Sequence, residues 1–316
     1  MKNNQNSMRQ VSSRSLTAFL LLVLAASVAL PHHNTLRAEQ KKIILRHADL
    51  IEGGGDEAGS YRSVIGNVVF QDGSLTLTCD SATDYERENK IVLKGNIVIA
   101  DDAFAIYGDN GVYFSDKQTG ELQGSVRGRM LDNSLFGKSH RAVVNKANSQ
   151  VWLYDDAIAW HEQQQISGDI ILLHFTESGD SKKKQRLDEM QVHGNAFFAA
   201  ADTLSRSPVV YDQFGGKKMV IRLLEGSKIE DITVTSQAEI LYHLYNEKQQ
   251  PSGINYSSGD MIRMLFTDGR LNRIKVTGNV EGKQYPESFR GNKSIDLPKF
   301  IWREEENPFR KQKSLP

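Results

Sequence analysis

Residues 66–114 read GNVVFQDGSLTLTCDSATDYERENKIVLKGNIVIADDAFAIYGDNGVYF. One phrase occurs twice: Gly66-Asn67-Val68-Val69-Phe70 returns as Gly95-Asn96-Ile97-Val98-Ile99, and 95 − 66 = 29 residues separate the two starts. Cys79-Asp80 and Gly108-Asp109 form a second anchor in mid-repeat. A fixed period of this size marks one supersecondary unit that buries its apolar face against copies of itself. Within the stretch, apolar residues alternate with polar ones. Val68 and Phe70 share a face, as do Leu75 and Leu77, Ile91 and Leu93, Ile97 and Ile99, Phe104 and Ile106, and Val112 and Phe114. Period two predicts half-buried strands. The links Gln71-Asp72-Gly73-Ser74, 86–89 and 115–120 are short, so neighbouring strands are antiparallel.

Outward from this stretch the phrase persists. Gly124-Ser125 restarts it, Asp155-Asp156 does so less clearly, and Gly194-Asn195 and Gly278-Asn279 restore it, with a weak copy near Gln237. The mid-repeat anchor recurs at Gly168-Asp169 and Gly259-Asp260, and Lys138 and Lys217 take the Asp place after Gly137 and Gly216. The anchor is therefore a backbone feature first and a carboxylate only in some copies. No apolar stripe of period 3.6 persists over three turns, so the fold class is all-β, and the repeat favours one elongated body over residues 41–285.

Lys2, Arg9 and Arg14 precede an apolar run over 18–30, and Ser27-Val28-Ala29 supplies small residues at a cleavage site. This reads as a secretory signal peptide over 1–29, because so short a run falls below the roughly 20 residues of a spanning helix. A linker over 30–40 follows. Residues 286–316 are read as a partly disordered tail, polar from Arg303, and Glu177 to Arg186, with three lysines, as a solvated excursion. Formal charge is 39 − 39 = 0, and 36 − 39 = −3 without residues 1–29, which gives no electrostatic case for nucleic acid. The single Cys79 cannot form an intrachain disulfide and reads as a buried inert thiol.

No catalytic constellation or metal-ligand spacing is present. The histidines are scattered, and the recurring Asp80, Asp109, Asp169 and Asp260 come one per repeat, along a line rather than around a point. Their expected role is to bond nearby backbone donors. The alternation instead supplies an apolar face lined by Val68, Phe70, Leu75, Leu77, Ile91, Leu93, Ile97, Ile99, Phe104, Ile106, Val112 and Phe114. If two sheets close over it, this is a dry core. If they stay splayed, it is a groove for hydrocarbon, at about 0.8 kcal/mol per buried CH₂.

The units at Gly66, Gly95 and Gly194, the Gly259-Asp260 element and the run 273–280 resemble the organic-solvent-tolerance (OstA-like) family of LptA-type periplasmic lipopolysaccharide-transport proteins. The resemblance implies a twisted, semi-open antiparallel β-jelly roll whose interior holds lipid A acyl chains. It also implies no enzymatic activity and no cofactor. The partners it implies are lipopolysaccharide, an inner-membrane Lpt complex and an outer-membrane translocon, with head-to-tail homo-oligomers formed through edge strands. The alternative is a structural or glycan-binding β-solenoid of the cell envelope with a dry core.

Overall fold

The computed structural model describes residues 43–56, 59–179, 185–205, 208–267 and 270–310. The signal-peptide and linker readings, and Lys182 to Lys184, lie outside them. The strands are β1 (Ile44–His47), β2 (Leu50–Asp56), β3 (Gly59–Asp72), β4 (Leu75–Tyr85), β5 (Lys90–Ala100), β6 (Phe104–Phe114), β7 (Thr119–Met130) and β8 (Phe136–Asn145). They continue with β9 (Gln150–His161), β10 (Gln164–Glu177), β11 (Gln185–Ala201), β12 (Tyr211–Leu223), β13 (Ile229–Tyr245), β14 (Pro251–Thr267), β15 (Arg270–Thr277) and β16 (Glu281–Tyr285). All sixteen join one antiparallel sheet in chain order. At its ends β1 and β2 both pair with β3, and β15 and β16 both pair with β14.

The repeat is a row of corners. In each long strand the ladder skips, and on alternate strands two successive residues take left-handed backbone: Gly66-Asn67, Gly95-Asn96, Gly124-Ser125, Asp155-Asp156, Gly194-Asn195, Ser236-Gln237 and Gly278-Asn279. Glycine and asparagine tolerate this conformation, which explains the recurring dipeptide. Facing each glycine–asparagine corner is an Asp from the preceding part of the chain, whose carboxylate accepts from the Asn side chain. Asn67 donates to Asp49, Asn96 to Asp80 and Asn195 to Asp169, each at 2.9 Å. The partner of these carboxylates is thus a neighbouring side-chain amide and not the backbone donor expected from the sequence. In β8 the skipped residue is His140, after Ser139, not Lys138 after Gly137: Ser139 pairs with Val126 and Arg141 with Gln123.

The corners divide the sheet into two leaves that face each other. Leaf A holds residues 44–47, 68–72, 75–79, 97–100, 104–108, 126–130, 136–139, 157–161, 164–168, 196–201, 211–216, 238–245, 251–259 and 281–285; the other strand segments form leaf B. Glycines let the leaves approach closely. A Cβ on Gly120 of leaf B would stand 2.7 Å from Ile99 Cδ1 of leaf A. Between the leaves lies one apolar core running from Val64 in β3 to Met264 in β14.

Residues 286–310 cross the outer surface of leaf A. Gln165 and Gln213, both buried, hold their backbone: Gln165 donates to Ile301 O at 2.8 Å and accepts from Arg303 N, and Gln213 accepts from Leu297 N at 2.8 Å. Phe300 packs on Phe197, Trp302 on Tyr211 and Phe309 on Phe136. The Arg303 guanidinium bridges Asp156, at 2.6 and 2.7 Å, and Glu306. The tail read as partly disordered is therefore a packed strap as far as Arg310, and 311–316 lie outside the described residues.

Candidate functional site

Ten of the twelve residues assigned to the apolar face line the space between the leaves. Val68, Phe70, Leu75, Leu77, Ile97 and Ile99 have no exposed surface, Ile91 and Leu93 almost none, and Ile106 and Phe104 very little. Val112 and Phe114 do not belong to this set. They are half-buried on the opposite face, and Tyr113 takes the interior position. The cause is the corner at Asp109: Gly108 faces inward, the ladder skips from Tyr107 to Asn110, and the inward parity changes from even to odd residues. Counting by twos through a bulge assigns every later side chain to the wrong face.

The interior is filled. One small void in it is about 30 Å³, lined by Phe104, Ile106, Leu135, Leu153, Leu173 and Phe175 among others, and another is about 10 Å³. The splayed groove allowed by the sequence is not the state seen. The sheet remains open at its terminal strands, while its apolar faces are in contact.

Opposite the corners, the turns of the two leaves meet along a seam. Near the first strands the seam is fastened by a carboxylate that sequence reading passed over as part of a turn. Asp72, on leaf A, is 2% exposed. It accepts from Tyr113 Oη at 2.5 Å and Gln118 Nε2 at 3.2 Å, and pairs with Lys146 Nζ at 3.4 Å, all from leaf B. Lys146 also donates to the Asp72 carbonyl. Burial, then the adjoining carboxylate, pushes the Tyr113 hydroxyl pKa far above its ordinary value. A signal existed in Tyr113, an aromatic at the end of a strand between two polar turns, but its partner is 41 residues away.

Cys79 is buried, with its thiol pushed up to about 11, chiefly by burial. His174 with Asp188 and His243 with Asp212 form separate pairs, each at 3.0 Å. Among the described residues no group of three or more His, Cys, Asp or Glu side chains could hold a metal ion. No described helix is long and apolar enough to cross a membrane, which leaves membrane-spanning strands untested.

The fold and interior define a class: an antiparallel, corner-bent β-jelly roll built from repeats around a continuous apolar core. Residues 40–155, from β1 into β9, match the family model described as OstA-like protein. A crystal structure of LptH from Pseudomonas aeruginosa, described as the LptA-homologous periplasmic component of the conserved lipopolysaccharide transport device, is similar at 16% identity. The likeness covers 37% of this chain and 92% of that one, with a TM-score of 0.29. No curated protein matches the chain.

Proposed function

We propose that this chain is a non-enzymatic periplasmic carrier or bridge component that shelters lipopolysaccharide acyl chains between its leaves during transport from the inner to the outer membrane. The observation that carries the reading is the continuous apolar interior from β3 to β14, held between leaves that share strands along one edge and meet through side chains along the other. Each methylene transferred from water into it gains about 0.8 kcal/mol. Because the interior is filled, chains enter as the leaves part.

The two edges of the sheet suit end-to-end pairing. Ile44, Leu50 and Ile51 on β1 and β2, and Val280 beyond β15, are large exposed apolar residues at unpaired edges. Asp49 at one edge and Gly278-Asn279 at the other would continue the alternation of corners across two copies. Such edges also suit the inner-membrane Lpt complex and the outer-membrane translocon as partners.

Photo-crosslinking amino acids at Phe70, Leu77, Ile99 and Ile106 test the reading. They capture lipopolysaccharide in cells, while the same group at outward Lys94 does not; equal capture at both sets overturns it. The filled interior favours a second reading, a structural envelope protein with a dry core, which predicts no capture at any of the five.

A further inference from the structure

The seam is not uniform. Near β3 and β4 it is bolted by Asp72 and its three partners. Midway along the sheet, the facing turns are residues 101–103 and 131–135 of leaf A and residues 178–179, 185–187 and 224–228 of leaf B. Here the bond from Ser227 Oγ to Ser134 Oγ, at 3.2 Å, joins two neutral hydroxyls across the leaves. Beneath it Phe104 meets Phe175 with ring centroids 5.2 Å apart.

This middle seam is where packing is incomplete. A mouth of about 270 Å³ opens between the turns, lined by Met130, Asp132, Arg186, Leu187, Glu225 and Ser227 among others. Met130 also walls the 30 Å³ void, Leu187 and Ser227 wall the 10 Å³ void, and Leu135 walls both voids. The three spaces therefore form a broken line from solvent into the core. A buried polar atom without a partner stands on it, Gln164 Oε1. Unsatisfied polar atoms and voids are both rare in settled interiors, so their coincidence marks a wall that is easily displaced. The mouth mixes charged side chains, Asp132, Arg186 and Glu225, with apolar ones, and the void behind it is apolar, the division of an amphiphile: head outside, hydrocarbon inside.

We propose that an acyl chain enters the interior through this middle seam, displacing Leu135, Leu187 and the Phe104–Phe175 contact, while the Asp72 staple keeps the first strands shut. The proposal rests on the carrier reading and adds to it the place of entry. An acyl chain is the occupant because the surfaces it would meet, from Met130 inward to Leu173 and Phe175, are apolar and continuous with the core.

The test is a lock. In the full chain, Ser134→Cys with Ser227→Cys places two thiols across the seam, and buried Cys79 does not compete for them. The probe is cis-parinaric acid, a fatty acid whose fluorescence rises on transfer to an apolar site. The reduced variant binds it as the unaltered protein does, and the oxidised variant binds at least about tenfold more weakly, as expected when the competent state is excluded. Equal binding by both forms overturns the entry site and leaves the carrier reading intact. No binding by the unaltered protein overturns the carrier reading itself. Hydrogen exchange on the unaltered protein checks the same point without a variant: the amides of Met130 and Leu187 lose protection faster than those of Leu75 and Leu77. Equal rates overturn the proposal.

Discussion

Replacing Asp72 with Ala removes the one buried carboxylate that ties the leaves together near the first strands. Two groups lose their partner. Tyr113, with no exposed surface, keeps a hydroxyl without an acceptor, which costs about 1–3 kcal/mol. Lys146, whose side chain is 17% exposed, keeps a charge with no counter-charge, and breaking a buried pair in this way costs about 3–5 kcal/mol. Because Lys146 still reaches solvent, the lower part of that range applies, and the total expected is about 4 kcal/mol against a typical stability of about 5–15 kcal/mol. Asp72→Asn retains an acceptor for Tyr113 and costs roughly half as much. Urea unfolding at pH 7 measures both, with the slope unchanged if only the native state is affected. A loss below about 1 kcal/mol for Asp72→Ala, the worth of an exposed pair, refutes the view that this carboxylate fastens the seam.

Three glycines give a graded series. Gly95 has φ +73° and a Cβ there would stand 2.3 Å from Asp80 Oδ2, Gly226 has φ +75° with open space, and Gly53 has neither strain nor neighbour. Their Ala variants should destabilise by more than about 2, about 1 and near 0 kcal/mol in turn, by the same unfolding assay. The strap responds to acid. The Arg303 guanidinium, then Lys138, holds the Glu306 carboxyl down to about 2, so its contribution is complete above 4.5 and is lost as pH falls towards 2. Trp302 fluorescence should follow that release, and Arg303→Ala should move the transition to higher pH. Cys79 has the opposite sign: its raised value makes its contribution complete below pH 9 and lost as pH rises through 11. At pH 8 a maleimide should label it only after denaturation. Ile51→Lys, at an exposed position on edge strand β2, should reduce any end-to-end assembly seen by light scattering while leaving the melting temperature unchanged.

Strand identity, antiparallel order and most of the interior were legible because period-two alternation and the Gly-Asn dipeptide are local signals. Val68 to Ile99 could be placed by counting. Val112 and Phe114 could not, because the bulge at Asp109 reverses the count and nothing in the residues themselves announces a reversal. The anchor at Gly137-Lys138 fails for a related reason: a small residue before a charged one imitates the motif, and only the ladder shows that Ser139-His140 occupies it. Long-range partners stayed hidden. Asp72 reads as an ordinary turn residue, and its acceptance of Tyr113 and Lys146 follows from how the leaves overlap. The Asp155-Asp156 departure from Gly-Asn had a reason the repeat alone could not supply, since Asp156 holds Arg303, 147 residues away. The strap was misread because Arg303 and Glu304 to Glu306 look like a solvated end, whereas Arg303 sits between two carboxylates and the neighbouring aromatics pack on leaf A.

The most direct measurement is the mass of what the protein carries. Protein recovered from the cells that make it, analysed by native mass spectrometry and then by solvent extraction, should hold about one lipid A-bearing molecule per chain or per short assembly, lost on unfolding. A bare polypeptide mass and an extract free of acyl chains, from protein shown to be folded, would contradict transport and leave a dry scaffold.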